Sequence, residues 1–252
     1  MAVVAQSPDV VNTVPGRNLT EPEWLSARIA EMGRSWGTAE PRVSGTLWWC
    51  MVASALVEQL ARAYATGSGA SEPIVDRLDC EVRPDGGIER VRILSTADIE
   101  AVAGTPAEDS AAVGIDVPHG VEAVIAGPQD ETDSAALSRA CAKALRETLA
   151  AVIGPVAAVS GAGVPSLWAI AADAIGNRAL DAGNPEAGAR LASEVGGKLP
   201  VPRFVEIGGR SFVRRISCCL VFEVPGCEMC TSCPKRPAAE RTALLAELAA
   251  ES

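Results

Sequence analysis

Residues 210–236 read RSFVRRISCCLVFEVPGCEMCTSCPKR. The first half is strand-like, with apolar and β-branched residues from Phe212 to Val224. The second half is a loop that carries thiols. Of eight cysteines, five fall between Cys218 and Cys233, while Cys50, Cys80 and Cys141 are scattered through apolar patterns and read as small buried hydrophobes. Disulfide scaffolds are short and spread their cysteines along the chain, whereas bunched thiols with CxxC spacing in a chain of 252 residues read as metal or cluster ligands. A CxxC turn sets two thiolates on one side of the backbone, as tetrahedral iron or zinc requires. Adjacent cysteines in a straight strand point to opposite faces. Cys218 and Cys219 can therefore face one cluster only where the backbone bends, so a strand end or bulge is expected there.

Working outward, the order of elements suggests α+β with helices dominant: a helix-rich single domain, a small antiparallel sheet and a C-terminal cluster-binding segment over residues 210–236. Residues 1–19 read as a flexible arm and 20–252 as the domain. Thr20-Glu21-Pro22-Glu23 predicts a capping box opening a helix to about Met32, and residues 41–45 a connection. Apolar residues at 47, 48, 51, 52, 55, 56 and 60 predict an amphipathic helix from Thr46 to Tyr64. Residues 74–82 and 88–94 around Pro84-Asp85-Gly86-Gly87 predict a hairpin. Two further short strands are expected at 113–117 and 121–125. Helices are expected at 132–152, 165–180, from Asn184-Pro185, and at 238–249, and strands at 201–207 and 212–224. Gly154-Pro155 is read as a helix end. Trp48, Trp49 and Trp168 are assigned to the core, and Trp24 and Trp36 to the core or a shallow groove.

Composition excludes several chemistries. The net charge of −10 argues against nucleic acid or an anionic membrane surface as partner. The chain has one histidine, His119, so zinc sites of the HExxH type, facial-triad iron and Rieske centres are excluded. The first 18 residues lack a basic start followed by an apolar core, and the apolar run 148–172 is interrupted by Gly and Pro. No signal peptide and no membrane insertion are expected, and the expected compartment is the cytoplasm. Residues 156–163 (VAAVSGAG) mimic a dinucleotide fingerprint, but no strand with an acidic residue follows, so a nicotinamide site is not expected.

The pattern Cys-Cys-x10-Cys-x2-Cys, at Cys218, Cys219, Cys230 and Cys233, resembles the FhuF-type ferric-siderophore reductases. The arginines before it, the Pro-Gly turn and the Trp-containing, Ala-rich stretch 165–175 are similar to that family as well. The resemblance implies a [2Fe–2S] cluster on those four cysteines. It further implies one-electron reduction of Fe(III) in a siderophore; since no flavin or nicotinamide site is expected in the chain, an external ferredoxin- or flavin-type reductase is the expected electron donor. Cys227 departs from the family pattern. It creates a CxxCxxCP run like that of [4Fe–4S] ferredoxins, and is a possible substitute ligand. Zinc or a [4Fe–4S] cluster on these thiols are the alternatives. The alternative functions are a non-enzymatic binding protein stapled by zinc or a structural cluster, and an iron–sulfur electron carrier for another reductase. Over residues 201–236 six cations (Arg203, Arg210, Arg214, Arg215, Lys235, Arg236) face three acids (Glu206, Glu223, Glu228), a local excess of positive charge in an acidic chain. Arg214 and Arg215, nearest the thiols, are expected to favour the reduced, more negative cluster and to attract anionic partners.

Overall fold

The structure, a computed structural model, describes residues 12–94 and 128–251. It is helix-dominated α+β, with six α-helices and two small antiparallel sheets among those residues. At its centre runs α2 (Pro41–Thr66), which follows α1 (Pro22–Trp36). The adjacent Trp48 and Trp49 of α2 are both fully buried, which a helix with one apolar stripe could not achieve. Their indole N–H groups leave in different directions: Trp48 donates to the Gly86 carbonyl and Trp49 to the Leu167 carbonyl, each at 2.8 Å. One side of α2 thus meets the hairpin of β2 (Leu78–Val82) and β3 (Ile88–Ile93). The other meets α4 (Val164–Asp181), which follows α3 (Pro128–Ser160). Trp24 packs edge-on against Trp48, with centroids 6.4 Å apart, while Trp36 is exposed.

The hairpin alternates as expected, with Leu78, Cys80 and Val82 inward. Its outer neighbour is unexpected: β1 (Asn12–Pro15) pairs antiparallel with β2, Val14 opposite Cys80, and Leu19 is fully buried. The arm expected over residues 1–19 is therefore part of the fold from Asn12 onward, because β2 offers an open edge and the core accepts Leu19. The expected strands at 113–117 and 121–125, and His119, lie outside the described residues.

Three boundaries differ from expectation. Thr20 does not cap α1; its hydroxyl donates to the Arg17 carbonyl at 2.7 Å, and the helix begins at Pro22. Residues 41–45 are the first turn of α2 rather than a connection, since Pro41 at the first helical position gives up no needed N–H. The helix α3 runs through Gly154-Pro155 to Ser160. Pro155 removes one intrahelical hydrogen bond, but Val152, Ile153 and Val156 around it are buried and hold the helix by packing. Residues 156–160 are thus helical, which removes the strand a dinucleotide fingerprint requires. Asn184 does cap α5 (Pro185–Val195), its side-chain oxygen accepting from the Ala187 N–H at 3.1 Å.

The helices α2 and α3 approach closely at Gly45. A Cβ there would lie 2.3 Å from Cβ of Ser160, whose hydroxyl donates to the Val156 carbonyl and accepts from the Ala162 N–H. Gly45→Ala is expected to cost about 2 kcal/mol through overpacking. Thermal unfolding will show it; an unchanged midpoint would mean the two helices can move apart freely.

Strands β4 (Phe204–Ile207) and β5 (Arg210–Val213) form the second sheet. Gly208 and Gly209, both at positive φ, make the two-residue turn between them. The chain leaves sheet geometry at Val213, so the strand expected over 212–224 is short. It then crosses an irregular segment to α6 (Ala238–Ala250). Among the described residues no helix is long and apolar enough to cross a membrane.

Candidate metal centre

The irregular segment 214–237 is tied down at both ends. At its start, the Arg214 N–H donates to the Arg203 carbonyl at 2.7 Å, in continuation of the second sheet. The next anchor is Asp173 of α4. Its buried carboxylate accepts from the Ile216 N–H at 2.9 and 3.0 Å and from the Ser217 N–H at 3.2 Å, and lies 3.8 Å from Nε of Arg215. Burial pushes the Asp173 carboxyl up to about 6, against these donors, which pull it down.

Cys218 and Cys219 follow directly. Leu220 lies at φ 64, the left-handed region that a branched side chain rarely adopts. That single residue bends the backbone where a bend was expected, although at the exit from a loop rather than within a strand. Its N–H turns back to Sγ of Cys218 at 3.4 Å, and the Val221 N–H bonds to the Cys219 sulfur. Backbone N–H groups directed at sulfur stabilise negative charge there.

The chain returns through the turn at Pro225-Gly226 to Cys230 and Cys233, where the Cys233 N–H donates to the Cys230 carbonyl at 3.1 Å. Two arginines brace this CxxC loop from outside. Arg236 donates to the carbonyls of Met229 and Cys230 and pairs with Glu240 of α6. Arg241 donates to the Arg236 carbonyl at 3.1 Å and reaches the Cys233 carbonyl at 3.4 Å.

Four thiols converge from these two limbs, in two pairs. Cys218 Sγ and Cys233 Sγ are 3.7 Å apart, and Cys219 and Cys230 share a hydrogen bond. Two sulfurs on one tetrahedral metal, with metal–sulfur bonds of about 2.3 Å, stand about 3.8 Å apart. The observed separation therefore matches two thiolates on one iron. Among the described residues, no three His, Cys, Asp or Glu side chains converge closely enough to share a single metal ion. A binuclear cluster on these four cysteines would place two thiolates on each iron. Cys227 holds the Pro-Gly turn through its N–H to the Val224 carbonyl at 3.1 Å, and its thiol makes no hydrogen bond to the other cysteines among the described residues.

The electrostatics are asymmetric. Arg215 is mostly buried and donates to Sγ of Cys230 at 3.6 Å. Cys219 is pushed down to about 5, first by the hydrogen bond from Cys230, and also by Val221 and Arg215, against burial. Cys230, as donor of that bond, moves up. Burial raises Cys218 to about 11. The sequence treated Arg214 and Arg215 alike, but consecutive residues in an extended chain diverge: Arg215 turns inward and Arg214 is exposed.

Two neighbours were missed. Cys50, half-buried on α2, interacts with Arg215 and Cys219, and burial pushes its thiol up to about 12. Nothing in its apolar surroundings signalled this. Asp173 did carry a signal: it is the one charged residue in the otherwise uncharged stretch 164–177.

Arg215→Gln is expected to lower the midpoint potential by roughly 60 mV, about tenfold in a one-electron equilibrium. Arg214→Gln should leave it unchanged. A redox titration distinguishes the two, and equal shifts would show a diffuse rather than a local field.

Residues 215–235 match the FhuF 2Fe-2S C-terminal domain family. This is the family that the spacing of the cysteines resembles. The matched FhuF stretch begins at the inward arginine and includes all four converging thiols. It supports an iron–sulfur cofactor, of the [2Fe–2S] type, and a role related to siderophore iron. No curated protein matches the chain.

Proposed function

We propose that the chain is a cytoplasmic ferric-siderophore reductase, with Cys218, Cys219, Cys230 and Cys233 holding a [2Fe–2S] cluster. The observation that carries this reading is the convergence of four thiols in two pairs within the FhuF-type segment. A cluster held there supplies a one-electron couple able to reduce chelated Fe(III) to Fe(II), the electron coming from an external ferredoxin- or flavin-type donor. Fe(II) suits hard anionic oxygen donors less well, so reduction loosens the iron from its chelate. The residues around the thiols contribute charge and order: Arg215 offsets the negative charge, Asp173 and Arg236 hold the two limbs in register, and the packed core on α2 and α4 shields one side from water.

The test is anaerobic purification followed by reduction. The expected protein is red-brown, contains about two irons and two sulfides per chain, and bleaches with dithionite. Ferric chelate should then restore the colour, one electron per iron. Colourless protein with zinc would establish the stapled binding module instead. Bleaching with no reoxidation by ferric chelates would leave an electron carrier, and four irons and four sulfides a cubane.

A further inference from the structure

We infer that the cleft over Cys218 seats an anionic ferric chelate, one bearing catecholate or carboxylate oxygens, with Arg42 and Lys235 at its mouth. This deepens the reductase reading and rests on it. The cleft measures about 430 Å³, within the range of roughly 300–1,000 Å³ usual for ligand sites. It lies between the start of α2, the start of α4 and the cysteine segment, lined among others by Arg42, Thr46, Ser166, Ser217, Cys218 and Lys235. Because Cys218 is part of its wall, whatever occupies it lies beside the thiols.

The polarity of the wall selects the occupant. In a chain of net charge −10, this cleft is lined by two cationic side chains and no acidic one. Both cations are held at the rim by weak partners: Arg42 by an ion pair with Glu223, Lys235 over the Phe222 ring at 4.8 Å. The Arg42 side chain is 49% exposed, and a pair so exposed yields readily to a competing anion. The helix α4 opens at the cleft with no side-chain cap, adding the partial positive charge of its N-terminus. Independently of that, Ser217, only 7% exposed, forms part of the cleft wall next to Cys218. A serine hydroxyl beside Cys218 can donate to an anionic oxygen placed in the cleft. An acidic patch of a donor protein would share the charge, but a concave site suits a small chelate better than a flat protein surface.

The experiment uses gallium(III), which matches the charge of ferric iron and does not accept the electron. Binding of the anionic gallium tris(catecholate) and the neutral gallium tris(hydroxamate) to the cluster-loaded protein is measured by calorimetry. The anionic chelate should bind at least tenfold more tightly, and less tightly as salt rises. Arg42→Gln with Lys235→Gln should lose about tenfold for the anionic chelate and nothing for the neutral one. Ser166→Trp, an exposed position at the rim, should block the anionic chelate sterically and keep the visible spectrum. Equal affinity for both chelates, no binding, or unchanged binding in both variants would overturn the assignment. So would variants that weaken binding of a ferredoxin-type donor while leaving the chelate unaffected. Failure of the reductase reading looks different: gallium chelate binds as expected, yet no ferric chelate reoxidises the dithionite-reduced protein. Conversely, ferric chelates that reoxidise wild type and variants alike would leave the reductase reading standing without this cleft.

Discussion

Cys219→Ser is expected to abolish the visible iron–sulfur bands and to bring the iron content close to zero. A serine oxygen is a harder donor, is far less acidic than a thiol, and cannot replace the thiolate that Arg215 and the Val221 N–H favour at this position. The same loss is expected for serine at Cys218, Cys230 and Cys233, since each thiol has one of the others as its near partner. Cys227→Ser should keep bands and iron, because the hydrogen bond that holds its turn comes from the backbone N–H rather than the thiol. The comparison separates the two sets of spacings. A CxxCxxC site needs Cys227, whereas the two pairs seen in the structure do not. An intact spectrum in Cys219→Ser would overturn the ligand set, and a colourless Cys227→Ser would bring that residue into it.

Asp173→Ala is expected to destabilise the protein by about 3 kcal/mol and to impair cluster loading, because removing one partner from a buried charged network leaves the others without a counterpart. The carboxylate is the meeting point of α4 and the cysteine limb: two backbone N–H groups and the Arg215 guanidinium converge on it. Without it, Ile216 and Ser217 have no acceptor, and Arg215 loses the group that holds it toward Cys230. Asp173→Asn keeps one acceptor oxygen and should fall between wild type and alanine. Thermal unfolding of the iron-free protein reports the structural part, and the midpoint potential of any loaded protein reports the displacement of Arg215. If Asp173→Ala kept both the unfolding midpoint and the potential, the limb would be held by its CxxC side alone.

Much of the helical scaffold was legible because its signals are local. Asn184-Pro185 announces a helix start within a few residues, and alternation announces β2. The errors came where packing overrode such signals. Pro155 sits inside α3 because buried neighbours outweigh one lost hydrogen bond, and Thr20 lost its capping role to a helix that starts two residues later. The segment 12–19 looked unanchored because its partner, β2, lies more than sixty residues away.

From the residues alone came the thiols, their spacing, the surplus of arginines around them and the need for a bend after Cys218. Which sulfurs stand next to each other, which of two consecutive arginines meets them, that Asp173 anchors their limb and that Cys50 is their neighbour came only from the folded chain. The reason is range. A CxxC turn is short and covalent, so its neighbour spacing reads directly from order along the chain. The contacts of Arg215 with Asp173 and with Cys50 join residues separated by whole helices, and the burial of α2 and α4 against each other decides where those residues meet.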